Sequence, residues 1–345
     1  MPEIAGAKAL YSAQVRFRRT AIGLYGDAAR EIGAVLARAS GFDGLIPPDR
    51  EADVVSAAGE VAQRLFVARD GRSVYGRDGV TALAPFPQAL NVAVVNVTAA
   101  VVRAHHDWLK RNVPPDVFAW LGSARPRPVS EQIEAGDVFR PNPLAQYDPL
   151  HLWVDPNGYR LSDRIWHAGT RTRMRLDALV AEGIRNGTSA IEISRQVERF
   201  LLPNRAPLRA KKPYGRDASF DGMRLARTEI TAAHGRATMA AARANPYVER
   251  MAWRLSASHP KTDHCDDNAA NGPYALDSIP PYPDHPHCLC CLVPQVSAAP
   301  AQVTARLREL MAAGEPPPYV TPANQQGFLL ELLGPVLMLL VERVV

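Results

Sequence analysis

All four cysteines of the chain fall between Cys265 and Cys291, and histidines and carboxylates crowd the same stretch. A first cluster reads Ser258-His259-Pro260-Lys261-Thr262-Asp263-His264-Cys265-Asp266-Asp267. A second, after a loop, reads Pro283-Asp284-His285-Pro286-His287-Cys288-Leu289-Cys290-Cys291. Each short cluster fixes its donors locally, and a metal joining the two closes the loop between them. Mixed thiolate and imidazole donors favour zinc, with iron and copper also chemically compatible. The favoured four are Cys265, His285, Cys288 and Cys290. Asp263, His264, His259 and His287 compete for a place or orient the ligands. Pro286 limits the freedom of His285. Cys290 and Cys291 are adjacent, so their side chains need not reach one ion. The competing reading is a hydrogen-bonded histidine network beside buried free thiols.

Catalysis at such a metal needs an open coordination position and a nearby general base. Asp263, Asp266, Asp267 and Asp284 supply carboxylates, so a metal-dependent nuclease or other hydrolase is one alternative. A closed set of four ligands is available without further assumption, and the chain is therefore expected not to be an enzyme. It carries no Gly-rich phosphate loop, Gly-x-Ser-x-Gly elbow or His-Glu-x-x-His helix.

The elements around this segment are mostly helical. A length of 345 residues suits two or three domains. The formal charge of +5 is segregated, because residues 161–257 hold 18 Lys/Arg against 9 Asp/Glu, a net +9. Such a segment attracts nucleic acid or acidic protein faces. Arg171, Arg173 and Arg175 on one expected helix, with Arg205, Arg209, Lys211, Lys212 and Arg216 in the loop that follows, are the candidate contacts to nucleic acid or a partner. The clustered cysteines, with no basic stretch and apolar core at the N-terminus, argue against a secreted disulfide framework.

Along the chain, Val15, Ile22, Tyr25, Ile32 and Leu36 mark one helical face between residues 10 and 40, with Gly26 as a break. A second helix is expected over 52–68. A third, over 89–112, is apolar to Val102 but too soon charged for a membrane span. Its His105 and His106 point about 100° apart and make poor joint ligands. Repeated prolines make 113–160 an extended connector, with Leu150–Val154 as a short strand and Asp155-Pro156-Asn157-Gly158 as a turn. Ser162 caps a basic helix that Asn186-Gly187 stops. Ser189, with Glu192 three residues on, caps the next. These two form a packed helical hairpin, or a DNA-binding helix-turn-helix as the alternative regulatory reading. An alanine-striped helix over 222–245 precedes a strand from Val248 to Ala257. Helix 299–313 ends before Pro316-Pro317-Pro318, and an apolar tail, Gln326 to Val345, closes the chain.

In order, Leu161-Ser162-Asp163-Arg164-Ile165-Trp166, Asn186-Gly187-Thr188-Ser189, Ala226-Arg227-Thr228-Glu229 and His285-Pro286-His287-Cys288-Leu289-Cys290 resemble the phage head morphogenesis family, the minor head proteins of Mu-like and related tailed phages. The family's ending carries a Cys-x-x-Cys pair, a loop and His-Pro-x-Cys-x-Cys. Cys265 matches the second cysteine of the pair, and His285, Cys288 and Cys290 match the closing ligands. Thr262 departs from the pattern at the first cysteine. The resemblance implies a minor capsid protein, present in few copies near the portal vertex and needed for head assembly. Its implied partners are the portal and other head proteins, including the major capsid protein or scaffold, with nonspecific contact to double-stranded DNA. It implies residence in the virion after assembly in the host cytoplasm, with no membrane partner.

The expected fold class is mainly α with a small α+β cysteine/histidine-rich subdomain, in an irregular, multi-segment architecture with extended connectors. The expected divisions are a helical domain (1–112), a proline-rich connector (113–160), a basic helical core (161–257), a zinc subdomain (258–298), and a terminal helix with apolar tail (299–345). The tail is expected to bury against the N-terminal helices or another head protein.

Overall fold

The computed structural model describes residues 7–67, 84–123, 161–202, 218–256, 259, 262–285, 288–315 and 317. The chain is mainly helical, with one small three-stranded sheet beside the cysteine/histidine cluster. Its helices are α1 (Ala7–Ala39), α2 (Glu51–Gln63), α3 (Pro85–Asn112), α4 (Pro115–Gly122), α5 (Leu161–Arg185), α6 (Ala190–Leu201), α7 (Ala218–Arg243), α8 (His264–Ala270) and α9 (Pro300–Ala312). The strands are β1 (Val248–Arg254), β2 (Tyr274–Ala275) and β3 (Cys291–Val296). The chain divides into two compact units, each drawn from separated stretches. One unit, helical throughout its described residues and called all-helical below in that sense, takes residues 13–93 and 149–229; the sheet-bearing unit takes 1–12, 94–148 and 230–345. Helices α1, α3 and α7 contribute residues to both.

In the all-helical unit, the buried stripe of α1 is Ala13, Phe17, Ala21, Tyr25, Ala28, Ile32 and Leu36. Val15 lies off this stripe and Ile22 is only half-buried, because small alanines rather than every large residue define the packed face. Gly26 does not break α1, which runs unbroken to Ala39. Phe17, Tyr25, Phe66 and Phe86 form an aromatic cluster, with Phe66 and Phe86 centroids 4.9 Å apart. Gly169 of α5 admits Phe66, whose Cβ would lie 2.7 Å from any added methyl. Helix α2 packs along α5.

The α5–α6 connection forms the expected hairpin. Gly187 takes φ 66°, a conformation only glycine adopts at little cost. Ser189 Oγ then accepts from Glu192 N–H at 3.4 Å. The Glu192 carboxylate does not return to complete the box and instead pairs with Arg195 and Arg199. Gly183 of α5 sits directly against Ile193 of α6, 2.7 Å from a hypothetical Cβ. Such interlocking fits a packed helical pair.

In the sheet-bearing unit, β1 is central, flanked antiparallel by β2 and β3. Met251 and Trp253 alternate inward from β1 and join Trp108, Leu109, Val117, Leu121, Tyr247 and Leu292 in one core. That core also takes in Cys265, Cys288 and Cys290. Residues 115–122 depart from the expected extended connector by forming α4. Pro114 and Pro115 stand at its start, where a missing N–H costs nothing. Arg308 of α9 clamps Asp116 of α4 with two hydrogen bonds, 2.9 and 3.1 Å. Helix α3 is long and apolar enough to cross a membrane by length and composition, yet 61% of its most apolar window is buried in the fold. The basic loop expected over 203–221 ends earlier, since α7 already begins at Ala218; its residues 203–217, the strand and turn expected near 150–158 and the apolar tail lie outside the described residues.

Candidate metal centre

The centre is assembled on the short helix α8 and on the chain leading into β3. Asp263 caps α8: its Oδ1 accepts from Cys265 N–H at 2.8 Å, while Asp266 Oδ2 accepts from Asp263 N–H at 2.8 Å. This reciprocal box satisfies amide donors that the helix start would leave orphaned. It also fixes Cys265 at the first turn, fully buried.

The Sγ atoms of Cys265, Cys288 and Cys290 all lie within 4.8 Å of one another. Cys265 and Cys288 Sγ are 3.7 Å apart, and all four cysteines are free thiols. A tetrahedral ion with metal–sulfur bonds of ~2.3 Å sets sulfurs ~3.8 Å apart, so the trio has the span a metal needs. A Cys/His/Asp cluster fit to hold a metal ion is therefore present.

Two imidazoles flank the trio. His285, with Asp263 and Cys265, forms a second group of donor atoms within 4.8 Å of one another, and its Nε2 lies 3.4 Å from Asp263 Oδ2. His259, with Asp263 and Asp266, forms a third. Its Nε2 lies 2.9 Å from Asp266 Oδ2, and its Nδ1 lies 3.9 Å from Cys290 Sγ. The structure thus gathers Cys265, Cys288 and Cys290 at one point, with His285 on the Asp263 side and His259 on the Cys290 side. His264 is exposed on the first turn of α8 and belongs to none of these groups. His287 lies outside the described residues. Cys291 is the first residue of β3, buried and paired in register with Arg254.

The thiols share their protons unequally. The Cys290 thiol is lowered to about 5, chiefly because the Cys288 thiol donates to it. Cys288 is raised by that same donation and by burial. Burial, followed by the charge of Cys290, raises Cys265 to about 12. Cys265, Cys288 and Cys290 would hold a metal as thiolates, so its binding would displace the protons they share. The hydrogen bond to Asp266 raises His259, and the Asp263 backbone N–H, then His259, lowers Asp266.

Residues that composition did not reveal seat the centre on α7. Thr231 Oγ1 donates to the Cys288 carbonyl at 3.1 Å, and Tyr282 OH donates to the Cys290 carbonyl at 2.6 Å. The Tyr282 ring meets Trp253 edge-on, with centroids 5.2 Å apart. It fits because α7 carries Gly235 opposite it. The sequence signal was available: a glycine inside an alanine-rich helix costs about 1 kcal/mol against alanine and marks close approach.

The candidate polyanion contacts are partly committed to the fold. Arg173 binds Gln63 and lies 3.6 Å from Asp177. Arg175 pairs with Asp221 at 3.3 Å and sits over the Phe200 ring at 5.1 Å. Arg171 is exposed on α5. Arg205, Arg209, Lys211, Lys212 and Arg216 lie outside the described residues. Comparison with protein-family models, with curated proteins and with solved structures finds no match to the chain.

Proposed function

We propose that this chain is a non-enzymatic assembly protein of a tailed-phage head, a minor capsid component near the portal, in which a structural zinc ion closes the cysteine knuckle. The observation carrying the metal part is the convergence of three buried thiols from two separate short segments. Thiolates in this number favour zinc among the common divalent ions. A structural role is supported by the setting, since the sulfurs belong to the hydrophobic core of their unit. Two of the four nearby carboxylates, Asp263 and Asp266, already close the helix cap. A hydrolase would need one of them free to act as a base.

The head-assembly part is supported by the ordered resemblance of four sequence pieces, two of which meet in the fold through Arg164 and Glu229. The portal, the major capsid protein or scaffold would be its partners, with nonspecific duplex DNA as a further contact. A regulator using α5 and α6 as a helix-turn-helix is less favoured, because Arg173 and Arg175 are paired within the fold.

The test has two arms. Elemental analysis of the purified full chain should give one zinc per molecule, lost in Cys288→Ser together with thermal stability. Gradient-purified heads should contain the protein. Metal-free wild type would overturn the zinc centre, and absence from heads would overturn a permanent place in the virion. Zinc-dependent cleavage of DNA, lost without unfolding in a Cys288→Ser chain, would favour the hydrolase.

A further inference from the structure

We infer that His259, through Nδ1, completes the metal site of Cys265, Cys288 and Cys290, with Asp266 as the residue that positions its ring; this rests on the zinc reading above. A metal-bound imidazole characteristically donates its other ring N–H to a carboxylate, which fixes tautomer and direction. His259 has this arrangement. Its Nε2 is 2.9 Å from Asp266 Oδ2, and its Nδ1 is 3.9 Å from Cys290 Sγ. A tetrahedral edge between nitrogen and sulfur is ~3.6 Å, close to the Nδ1–Cys290 separation, whereas His259 does not stand within 4.8 Å of all three sulfurs, so the ring must swing toward Cys265 and Cys288 as the ion binds.

Asp266 is itself held. The same Oδ2 accepts from Asp263 N–H, so the cap that places Cys265 also places the carboxylate that orients His259. The backbone delivers the imidazole from the end of β1, where His259 N–H donates to Ser256 O at 2.9 Å. His285 is the competitor. Its side chain is 37% exposed against 11% for His259, and it reaches the edge of the cluster at Asp263 and Cys265, whereas His259 stands beside Cys290. The absence of a cysteine at Thr262 then has a chemical answer: an imidazole three residues earlier supplies the missing donor. The resulting set of three sulfurs and one nitrogen is closed.

Cobalt(II) reports this set directly, because its d–d and sulfur-to-metal charge-transfer bands follow the number of thiolates. The full-length chain is titrated with cobalt(II) alone. Wild type should take one ion with a tetrahedral three-sulfur spectrum. His259→Cys should keep the ion and move the bands to the four-sulfur pattern. His259→Ala should bind at least tenfold more weakly, and Asp266→Asn about 10–100-fold more weakly with the three-sulfur spectrum retained. His285→Ala should match wild type. If His285→Ala alters the spectrum and both His259 variants leave it unchanged, the inference fails and the zinc reading survives. A wild-type chain that takes up no cobalt overturns both.

Discussion

Arg164 Nη2 stands 3.0 Å from Glu229 Oε2, joining the start of α5 to the middle of α7 within the all-helical unit. Both side chains are largely withdrawn from solvent, Glu229 almost completely. A buried pair of this kind adds little net stability when intact, because desolvation offsets attraction, yet truncating one partner removes part of what compensates the other's buried charge. Arg164→Ala is therefore expected to destabilise the protein by ~3 kcal/mol. Replacing both residues by apolar ones of similar volume should recover most of that loss. Denaturant unfolding of the two variants checks it; equal destabilisation by both would show that packing, not the loss of charge compensation, sets the cost.

Gly235 and Tyr282 make a steric prediction. A Cβ on Gly235 would come within 2.1 Å of the Tyr282 ring. The ring is wedged between α7 and Trp253, with its hydroxyl bound to the Cys290 carbonyl. Gly235→Ala should cost ~1–3 kcal/mol even though alanine is the better helix former. Adding Tyr282→Ala should relieve part of that cost, measured as non-additivity in a double-mutant cycle.

Why some of this was legible and some was not follows from where the determinants sit. Strand β1 could be read because Val248, Met251 and Trp253 mark its buried side in a short run before a turn. Helix α6 announced itself through Ser189 and Glu192, a purely local cap. Helix α4 was hidden, because Pro114 and Pro115 signal equally a broken chain and a helix's first turn. Helix α8 is seven residues long and mostly polar, too short for a period to emerge. The donor cluster could be read because its ligands are close in sequence. The order of its imidazoles could not: whether His259 or His285 turns toward the thiols depends on Asp263 and Asp266 and on how the β1–α8 connection folds back. Thr231 and Gly235 act from another helix, beyond the reach of any local pattern.

The arginines of α5 separate charge from structure. Arg171 is exposed, whereas Arg175 pairs with Asp221 and covers Phe200. If α5 lies against DNA, Arg171→Ala should lower the salt dependence of duplex binding by about one counterion and leave the melting temperature unchanged. Arg175→Ala should lower the melting temperature through lost packing as well as lost charge. Binding isotherms at several salt concentrations, with thermal melts, distinguish the two. An unchanged salt slope for Arg171→Ala would remove α5 from the contact surface.

His105 of α3 is 1% exposed, and its Nδ1 has no hydrogen-bond partner among the described residues. Burial, and then the neighbouring His234, lowers its pKa from 6.5 to about 3. Its companion His106 turns outward, beside Asp107 and edge-on to Phe118. The sign follows from proton binding. Between pH 6.5 and about 3 the unfolded chain holds a proton on this residue that the folded chain refuses, so stability falls as pH falls through that window. The loss reaches on the order of 4 kcal/mol at the acid end. A neutral replacement of similar size, His105→Gln, should flatten this part of the pH–stability curve, at some cost in stability at pH 7 from altered packing. Urea unfolding between pH 4 and 7, where the thiol centre is held constant by comparing both chains in the same chelator, isolates the effect; parallel curves for the two chains would assign the acid sensitivity elsewhere.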